Sequence, residues 1–140
     1  MIRIVLIDDN STVLLITETL LKAHGFIEIG DEIITHQNVD FTDDEMFKIM
    51  NTTDIIICDN DLGEGHLQGF DFLTRLLYYN YRGTMILMTG DESYKMRAKM
   101  ETQKNIHYVI KNNENGENST INQIGKMIKY YKENGIVKNA

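Results

Sequence analysis

The sequence predicts a single α/β domain in which five parallel strands alternate with five helices, a (βα)₅ arrangement. Five short apolar runs alternate with longer segments of helical periodicity, which is typical of a parallel sheet. The length of 140 residues and a hydrophobic content of 42% suit one domain with one core. No proline, internal repeat or linker interrupts the pattern. We therefore expect one domain over residues 1–134, followed by a short tail over 135–140.

The apolar runs give the expected positions of the strands. In chain order they cover residues 2–7, a stretch within 26–35, and residues 54–58, 84–88 and 106–110. The second run is the weakest, so its bounds are the least defined.

The helices are predicted between these runs. The first begins after the capping candidates Asn10 and Ser11 and stops at Gly25, a typical C′ residue. The other four are expected over 41–50, 70–79, 91–100 and 120–133. Gly125 lies inside the last one and costs about 1 kcal/mol relative to Ala. The apolar stripe of that segment still indicates a helix; it consists of Ile121, Ile124, Ile128 and Tyr131.

Charge and composition exclude several classes of protein. The formal charge of −7, with no local cluster of Lys and Arg to offset it, argues against direct binding of nucleic acid. No apolar run approaches the roughly 18 residues that a membrane helix needs, and no signal peptide is visible, so we expect a cytoplasmic protein without a membrane partner. Cys58 is the only cysteine, which excludes an internal disulfide and favours a small buried side chain.

Four of the five predicted strands are followed by residues that can carry chemistry. In an open parallel sheet, ligands bind beyond the carboxyl ends of the strands. Taken singly, each residue has an ordinary explanation, such as a helix cap or an Asx turn. Together they predict one pocket in which three carboxylates repel one another. The residues are Asp8 and Asp9 after the first strand, Asp59 to Asp61 after the third, Thr89 and Gly90 after the fourth, and Lys111 after the fifth.

Such a pocket favours a cation. Three carboxylates with backbone carbonyls and water suit Mg²⁺, whereas the four scattered histidines and single cysteine give no zinc spacing. Without the metal, at least one carboxylate is expected to have a raised pKa. A carboxylate beside Mg²⁺, a lysine ammonium and a hydroxyl can also accept a phosphoryl group.

In order and separation, Asp8-Asp9, Asp59, Thr89 and Lys111 resemble the marker residues of response-regulator receiver domains. The resemblance covers residues 2 to about 133. It implies a doubly wound sheet with the flavodoxin-like strand order 2-1-3-4-5. It also implies that Asp59 accepts the phosphoryl group, that Asp9 binds Mg²⁺ directly and Asp8 through water, and that the backbone carbonyl of Asp61 reaches the metal.

The resemblance implies further roles at the next two strand ends. Thr89 matches the switch hydroxyl that bonds the phosphoryl group, Gly90 the small residue that leaves it accessible, and Lys111 the lysine that pairs with it. Tyr108 matches the aromatic that turns inward on activation.

The same family has a signalling function rather than an enzymatic one. The resemblance implies that the phosphoryl donor is a sensor histidine kinase or a phosphotransfer protein. It also implies that the face of helix four, strand five and helix five contacts an output protein, which the sequence does not name. Kinase specificity is expected mainly on helix one, where Thr12, Leu15 and Thr19 are candidate outward positions. No effector domain follows within 140 residues, so the receiver either acts alone by protein contact or belongs to a longer chain.

Two segments depart from the family pattern. Lys111 is followed by Asn112 instead of a proline in a cis peptide, and a cis bond to a non-proline costs about 3–4 kcal/mol. We therefore expect either a trans bond or a strained site, and a reshaped loop over 112–119. The segment 62–69 is a residue or two longer than usual and lacks a proline. Asp61 and Asp91 match the positions that tune phosphoryl lifetime in the family.

Three other functions are alternatives to this one. A pseudo-receiver, a protein-interaction module without phosphorylation, is kept open by the departure after Lys111. A haloacid-dehalogenase-like phosphatase is suggested by Asp59-Asn60-Asp61 after an apolar strand, but the acidic pair Asp8-Asp9 precedes that motif instead of following it. A flavin-binding protein is disfavoured because Asp8 and Asp9 would repel the flavin phosphate.

Overall fold

The computed structural model describes residues 1–112 and 116–135. Its five parallel strands form one sheet in the order β2-β1-β3-β4-β5. The predicted (βα)₅ fold and its strand order are therefore confirmed. The elements are β1 (Arg3–Ile7), α1 (Ser11–Ala23), β2 (Glu32–His36), α2 (Asp43–Thr52), β3 (Ile55–Asp59), α3 (Gly69–Tyr78), β4 (Thr84–Thr89), α4 (Tyr94–Thr102), β5 (Ile106–Ile110) and α5 (Thr120–Asn134).

The strands are apolar on both sides because helices cover both faces of the sheet. Alternate β3 residues point to opposite faces: Ile56 and Cys58 pack with α2, α3 and α4, whereas Ile55 and Ile57 pack with α1 and α5. Cys58 is fully buried, as expected for a small hydrophobe. No helix in the described ranges is long and apolar enough to cross a membrane.

The second strand begins in the second half of the stretch within which it was predicted, residues 26–35. Gly25 takes a left-handed conformation with φ +78° and ends α1, which is the C′ role that the sequence predicts. The amides of Phe26 and Ile27 then donate to the carbonyl of Leu21, so the chain folds back against α1 before it can enter the sheet. Strand β2 follows only at Glu32.

An ionic cluster holds this connection in place. The ammonium of Lys132 on α5 donates to the carbonyl of Phe26 and contacts the carboxylates of Glu28 and Asp31. Asp31 in turn accepts from the backbone amide of Ile2 at 3.0 Å. These contacts lower the pKa of Asp31 against the opposing effect of burial. The apolar residues ahead of β2 are thus tied to α5 instead of forming a strand.

Helices α2 and α4 start two and three residues later than predicted, because local caps decide their first turns. Thr42 and Glu45 form a reciprocal capping box, so α2 begins at Asp43. Ser93 caps α4 by accepting from the amide of Met96 at 3.2 Å. Asp91, expected to be helical, instead accepts from the Ser93 amide at 2.8 Å and lies in the turn before the helix.

Gly125 has a packing reason that helix propensity does not show. A Cβ at this position would overlap the ring of Phe26, which follows α1 in the sequence. The glycine therefore allows α5 and the end of α1 to approach closely.

Charge is divided unevenly over the fold. The first 90 residues hold five Lys and Arg against fifteen Asp and Glu, whereas the last fifty hold nine against six. The described residues of this second group build α4, β5 and α5 at one edge of the sheet. Lys95, Arg97 and Lys99 are all exposed on α4, so basic side chains are more concentrated there than the sequence analysis expects.

Candidate functional site

The residues that are predicted to carry chemistry lie at the ends of four strands. Asp59 is the last residue of β3 and Thr89 the last of β4, while Asp8 follows β1 by one position and Lys111 follows β5 by one. Because the strands are parallel and in register, these residues lie together at the carboxyl-terminal end of the sheet. The structure therefore brings together residues that are far apart in sequence.

Three carboxylates form the acidic cluster of the site. One oxygen each from Asp8, Asp9 and Asp59 lies within 4.8 Å of the others. Asp8 and Asp59 are buried, with 3% and 4% of their surface exposed, whereas Asp9 is exposed. The cluster is thus open to solvent on the side of Asp9 and closed beneath it.

Burial changes the acidity of this cluster. It raises the pKa of Asp8 to about 6; repulsion by Asp59 adds to the rise, and a hydrogen bond from the Asn10 amide opposes it. Burial also raises the pKa of Asp59, against the opposing effect of Lys111. The expectation of at least one raised pKa without metal is confirmed.

Lys111 supplies the positive charge of the site. Its Nζ lies 2.7 Å from Oδ1 of Asp59. Its backbone amide donates to the carbonyl of Thr89 at 2.9 Å, which extends the β4–β5 pairing by one residue. This hydrogen bond fixes the position of the Lys111 backbone. Lys111 and the Asp59 carboxylate therefore form an ion pair.

The structure shows the geometry of the peptide bond after Lys111, where the sequence departs from the family pattern. None of the peptide bonds in the described ranges is cis, so the bond to Asn112 is trans. The amide of Asn112 donates to the hydroxyl of Thr120 at 2.8 Å, which ties the chain directly to the start of α5. Residues 113–115 of the loop that we expected to be reshaped lie outside the described residues.

Thr89 and Gly90 border the open space in front of Asp59. Thr89 is 2% exposed, and its hydroxyl oxygen accepts from the amide of Asp91 at 2.9 Å. The space beside the Gly90 Cα is open. With Asp59 and Lys111, these residues line a cavity of about 550 Å³, which is large enough for a phosphoryl group.

Two of the three other predicted residues, Asp61 and Asp91, line the same cavity. Asp61 is exposed, and its side chain accepts from the amide of Gly63 at 3.1 Å. Asp91 is also exposed, and hydrogen bonds from Ser93 lower its pKa. Tyr108 lies elsewhere, in a groove that also contacts α4 and α5, and its hydroxyl donates to the carbonyl of Gln103 at 2.9 Å.

Three residues between the end of β3 and the first turn of α3 have structural roles that the sequence analysis missed. The side chain of Asn60 accepts from the amide of Phe70 at 3.1 Å, so α3 starts directly against the end of β3. At Gly69 a Cβ would overlap the carbonyl of Asp59, which explains the glycine. Gln68 lines the cavity and hydrogen bonds only to backbone groups. No residue pattern signals such backbone contacts.

No family model and no curated protein matches the sequence. Solved structures do match. A CheY-like response regulator receiver domain protein from Methanospirillum hungatei is 16% identical, covers 96% of this chain and 99% of that one, and gives a TM-score of 0.67. The response regulator TrrA from Thermotoga maritima, solved in complex with Mg²⁺ and BeF, is 20% identical over 92% and 97% of the chains, with a TM-score of 0.62.

A DNA-binding response regulator of the LuxR family from Staphylococcus aureus also matches, with 17% identity, coverage of 92% and 97%, and a TM-score of 0.67. These likenesses extend over nearly the whole chain. The protein therefore has the fold of response-regulator receiver domains.

Proposed function

We propose that the chain is a response-regulator receiver: a phosphorylation switch in which Asp59 accepts a phosphoryl group from a sensor histidine kinase or a phosphotransfer protein. The observation that carries this proposal is the pairing of Asp59 with Lys111 at 2.7 Å beside the carboxylates of Asp8 and Asp9, on a receiver fold. The chain promotes phosphorylation and dephosphorylation only of its own Asp59, so it is a switch and not an enzyme with a separate substrate.

The acidic cluster fits Mg²⁺. Hard divalent cations prefer oxygen ligands, and three carboxylate oxygens within 4.8 Å, one of them solvent-accessible through Asp9, provide such a set. Asp8, Asp9, Asp59 and the carbonyl of Asp61 would hold the ion. When bound, it neutralises the carboxylates and the charge on the phosphoryl oxygens.

The transfer step follows from the positions of the side chains. A carboxylate oxygen of Asp59 attacks phosphorus, and as the new P–O bond forms the P–N bond of the donor phosphohistidine breaks, with its electron pair returning to the imidazole. The ammonium of Lys111 then pairs with a phosphoryl oxygen. The hydroxyl oxygen of Thr89 already accepts a hydrogen bond from the backbone amide of Asp91. The hydroxyl proton of Thr89 is therefore available to be donated to the phosphoryl group.

Helix α1 offers the surface on which the donor docks. Thr12, Leu15 and Thr19 are exposed, as expected from the sequence. Leu15 and Ile16 are 65% and 50% exposed, an unusual amount for leucine and isoleucine on a helix next to the site. A partly apolar face of this kind suits a helical partner.

The signal leaves through the face formed by α4, β5 and α5. Phosphorylation adds about −1.5 to −2 charges beside Thr89 and Lys111. As Thr89 moves toward the phosphoryl group, Tyr108 exchanges its hydrogen bond with Gln103 for an inward position, and the face changes its affinity for an output protein. The donor and the output protein are expected to meet this receiver in the cytoplasm.

Intact mass spectrometry tests the proposal. The protein is incubated with acetyl phosphate and Mg²⁺ under conditions that preserve acyl phosphates, together with Asp59→Asn and, as a matched control, the exposed Asp71→Asn. We expect a Mg²⁺-dependent phosphoryl adduct in the wild type and in Asp71→Asn, and none in Asp59→Asn.

Two results would contradict the proposal. A folded wild type that forms no adduct and binds no Mg²⁺ is a pseudo-receiver, and the search then turns to its protein partners. An adduct that persists in Asp59→Asn assigns the phosphoryl group to another residue.

A further inference from the structure

The β3–α3 connection is organised by one side chain, that of Gln68. Its Oε1 accepts from the amide of Leu62 at 3.0 Å, and its Nε2 donates to the carbonyls of Gly63 and His66 at 3.0 and 2.9 Å. A glutamine amide offers two donor hydrogens and one carbonyl acceptor. Gln68 uses both donors and its acceptor, and all of them hold residues 62–66 of the same loop.

One of these bonds acts on the peptide unit that joins Asp61 to Leu62. A trans peptide is planar, so its N–H and C=O point in opposite directions. The Leu62 amide is fixed by Gln68, and the Leu62 side chain is 1% exposed in the core. With both groups held, the direction of the Asp61 carbonyl is also fixed.

The same loop touches the acidic cluster at a second point. A Cβ at Gly63 would lie 3.6 Å from Oδ2 of Asp9, and the Gly63 amide donates to the side chain of Asp61 at 3.1 Å. Gly63 itself has φ +92°, a conformation that favours glycine. Gln68 holds this residue through its carbonyl and thereby also sets how the loop approaches Asp9.

We infer that Gln68 is a positioning residue for Mg²⁺: it does not touch the ion, but holds the Asp61 carbonyl and the Gly63 turn in the arrangement that the metal site requires. This inference rests on the proposed function, in which the Asp61 carbonyl is a metal ligand. Glutamate cannot replace this residue, because it loses both donor bonds and adds a charge beside Asp59.

The first test compares Mg²⁺ affinity by isothermal titration calorimetry in the wild-type chain and in Gln68→Ala. Groups that orient metal ligands typically contribute about 10- to 100-fold to affinity, and we expect a loss in that range. Phosphorylation of Gln68→Ala by acetyl phosphate should recover at saturating Mg²⁺, since the nucleophile and Lys111 are unchanged.

Gln123→Ala is the matched control. The Gln123 amide also holds a loop, by donating to the carbonyls of Ile110 and Asn118 at 3.3 and 2.6 Å, but it contacts no expected metal ligand. Its Mg²⁺ affinity should equal that of the wild type.

A second measurement does not depend on the folding of the variant. In the metal-free wild type, amide hydrogen exchange followed by NMR should show strong protection at Leu62, and the carbonyl carbon of Asp61 should shift on addition of Mg²⁺. Rapid exchange at Leu62 overturns the inference.

The outcomes separate the two claims. Equal Mg²⁺ affinity in Gln68→Ala and wild type, with wild-type binding abolished by Asp9→Asn, overturns the role of Gln68 and leaves the proposed function intact. A wild type that binds no Mg²⁺ overturns the metal-dependent function and, with it, the inference.

Discussion

Asp8 is an ionisable side chain held where its charged form is disfavoured. It is 3% exposed, it lies near Asp9 and Asp59, and its pKa is raised to about 6. An acid whose pKa is raised by folding stabilises the native state fully below its unfolded pKa and loses that contribution as the pH rises through the folded pKa. For Asp8, this stabilising contribution is therefore lost as the pH rises from about 4 to about 6.

We predict that Asp8→Asn stabilises the metal-free protein at pH 7.5. The asparagine keeps an oxygen for the Asn10 amide and removes the buried charge, so the free energy of unfolding in EDTA should rise by about 1–3 kcal/mol. The gain should disappear below about pH 4, where the wild-type carboxyl is neutral. Urea denaturation at both pH values measures this effect.

Addition of Mg²⁺ provides the control for this prediction. A ligand that binds only the native state stabilises it by mass action. Mg²⁺ should therefore stabilise the wild type more than Asp8→Asn and reduce the difference between them. A variant that is less stable than the wild type in EDTA at pH 7.5 would show that Asp8 is not destabilising.

At this scale, position along the chain was enough to locate the acidic cluster and its lysine. Asp59 and Lys111 each lie at the end of an apolar run, and the parallel sheet places such ends together. The role of Gln68 could not be predicted, because its partners are backbone groups of Leu62, Gly63 and His66. Their positions depend on loop conformation and not on residue type.

Among the elements, α5 shows how packing overrides helix propensity. Alanine is favoured over glycine in a helix by about 1 kcal/mol. At position 125, however, the added methyl group would overlap the ring of Phe26. The ring is half-buried against the core cluster that includes Ile124 and Ile128, so it has little room to move away.

We expect Gly125→Ala to destabilise the protein by about 1–3 kcal/mol, because overpacking outweighs the propensity gain. Thermal or urea unfolding provides the measurement. In a Phe26→Ala background the same substitution should become neutral or stabilising, since the overlapping ring is gone. A stabilising effect of Gly125→Ala in the wild type would mean that the ring moves aside freely.

Element bounds were predicted best for the last two strands. Strand β5 lies at the expected residues 106–110, and β4 differs by one residue at its end. The predicted start of α4 at residue 91 was wrong, because Asp91 bonds to Ser93 in the turn that precedes the helix. Apolar periodicity does not distinguish these two uses of an acidic side chain.

For the whole molecule, both hydrophobic clusters share the same strands. Ile55 and Ile57 belong to one cluster, while Ile56 and Cys58 belong to the other. Removing helices from one face would expose residues that hold the sheet for the other face. The two faces are therefore expected to lose their structure together.

We predict a single cooperative unfolding transition. Tyr81 and Tyr108 report on the face of α2, α3 and α4, and Tyr131 on the face of α1 and α5. Far-UV circular dichroism and tyrosine fluorescence should therefore give the same urea midpoint. Midpoints that differ would show that one face unfolds before the other.

The alternation of apolar runs and helical segments was sufficient to predict the (βα)₅ fold. The spatial distribution of charge was not predicted, since the net value of −7 hides the difference between the two parts of the chain. That difference becomes a surface property only because α4, β5 and α5 lie together at one edge of the sheet.

This separation of charge gives the molecule a permanent electric dipole that runs from one edge of its sheet to the other. In the field of a charged partner the protein rotates before contact, and it presents its basic edge to an acidic surface and its acidic edge to a basic one. Many encounters therefore begin in a selected orientation. Added salt screens the electric field and shortens the distance over which it can rotate the protein. The fraction of collisions that begin in the correct orientation therefore depends on ionic strength.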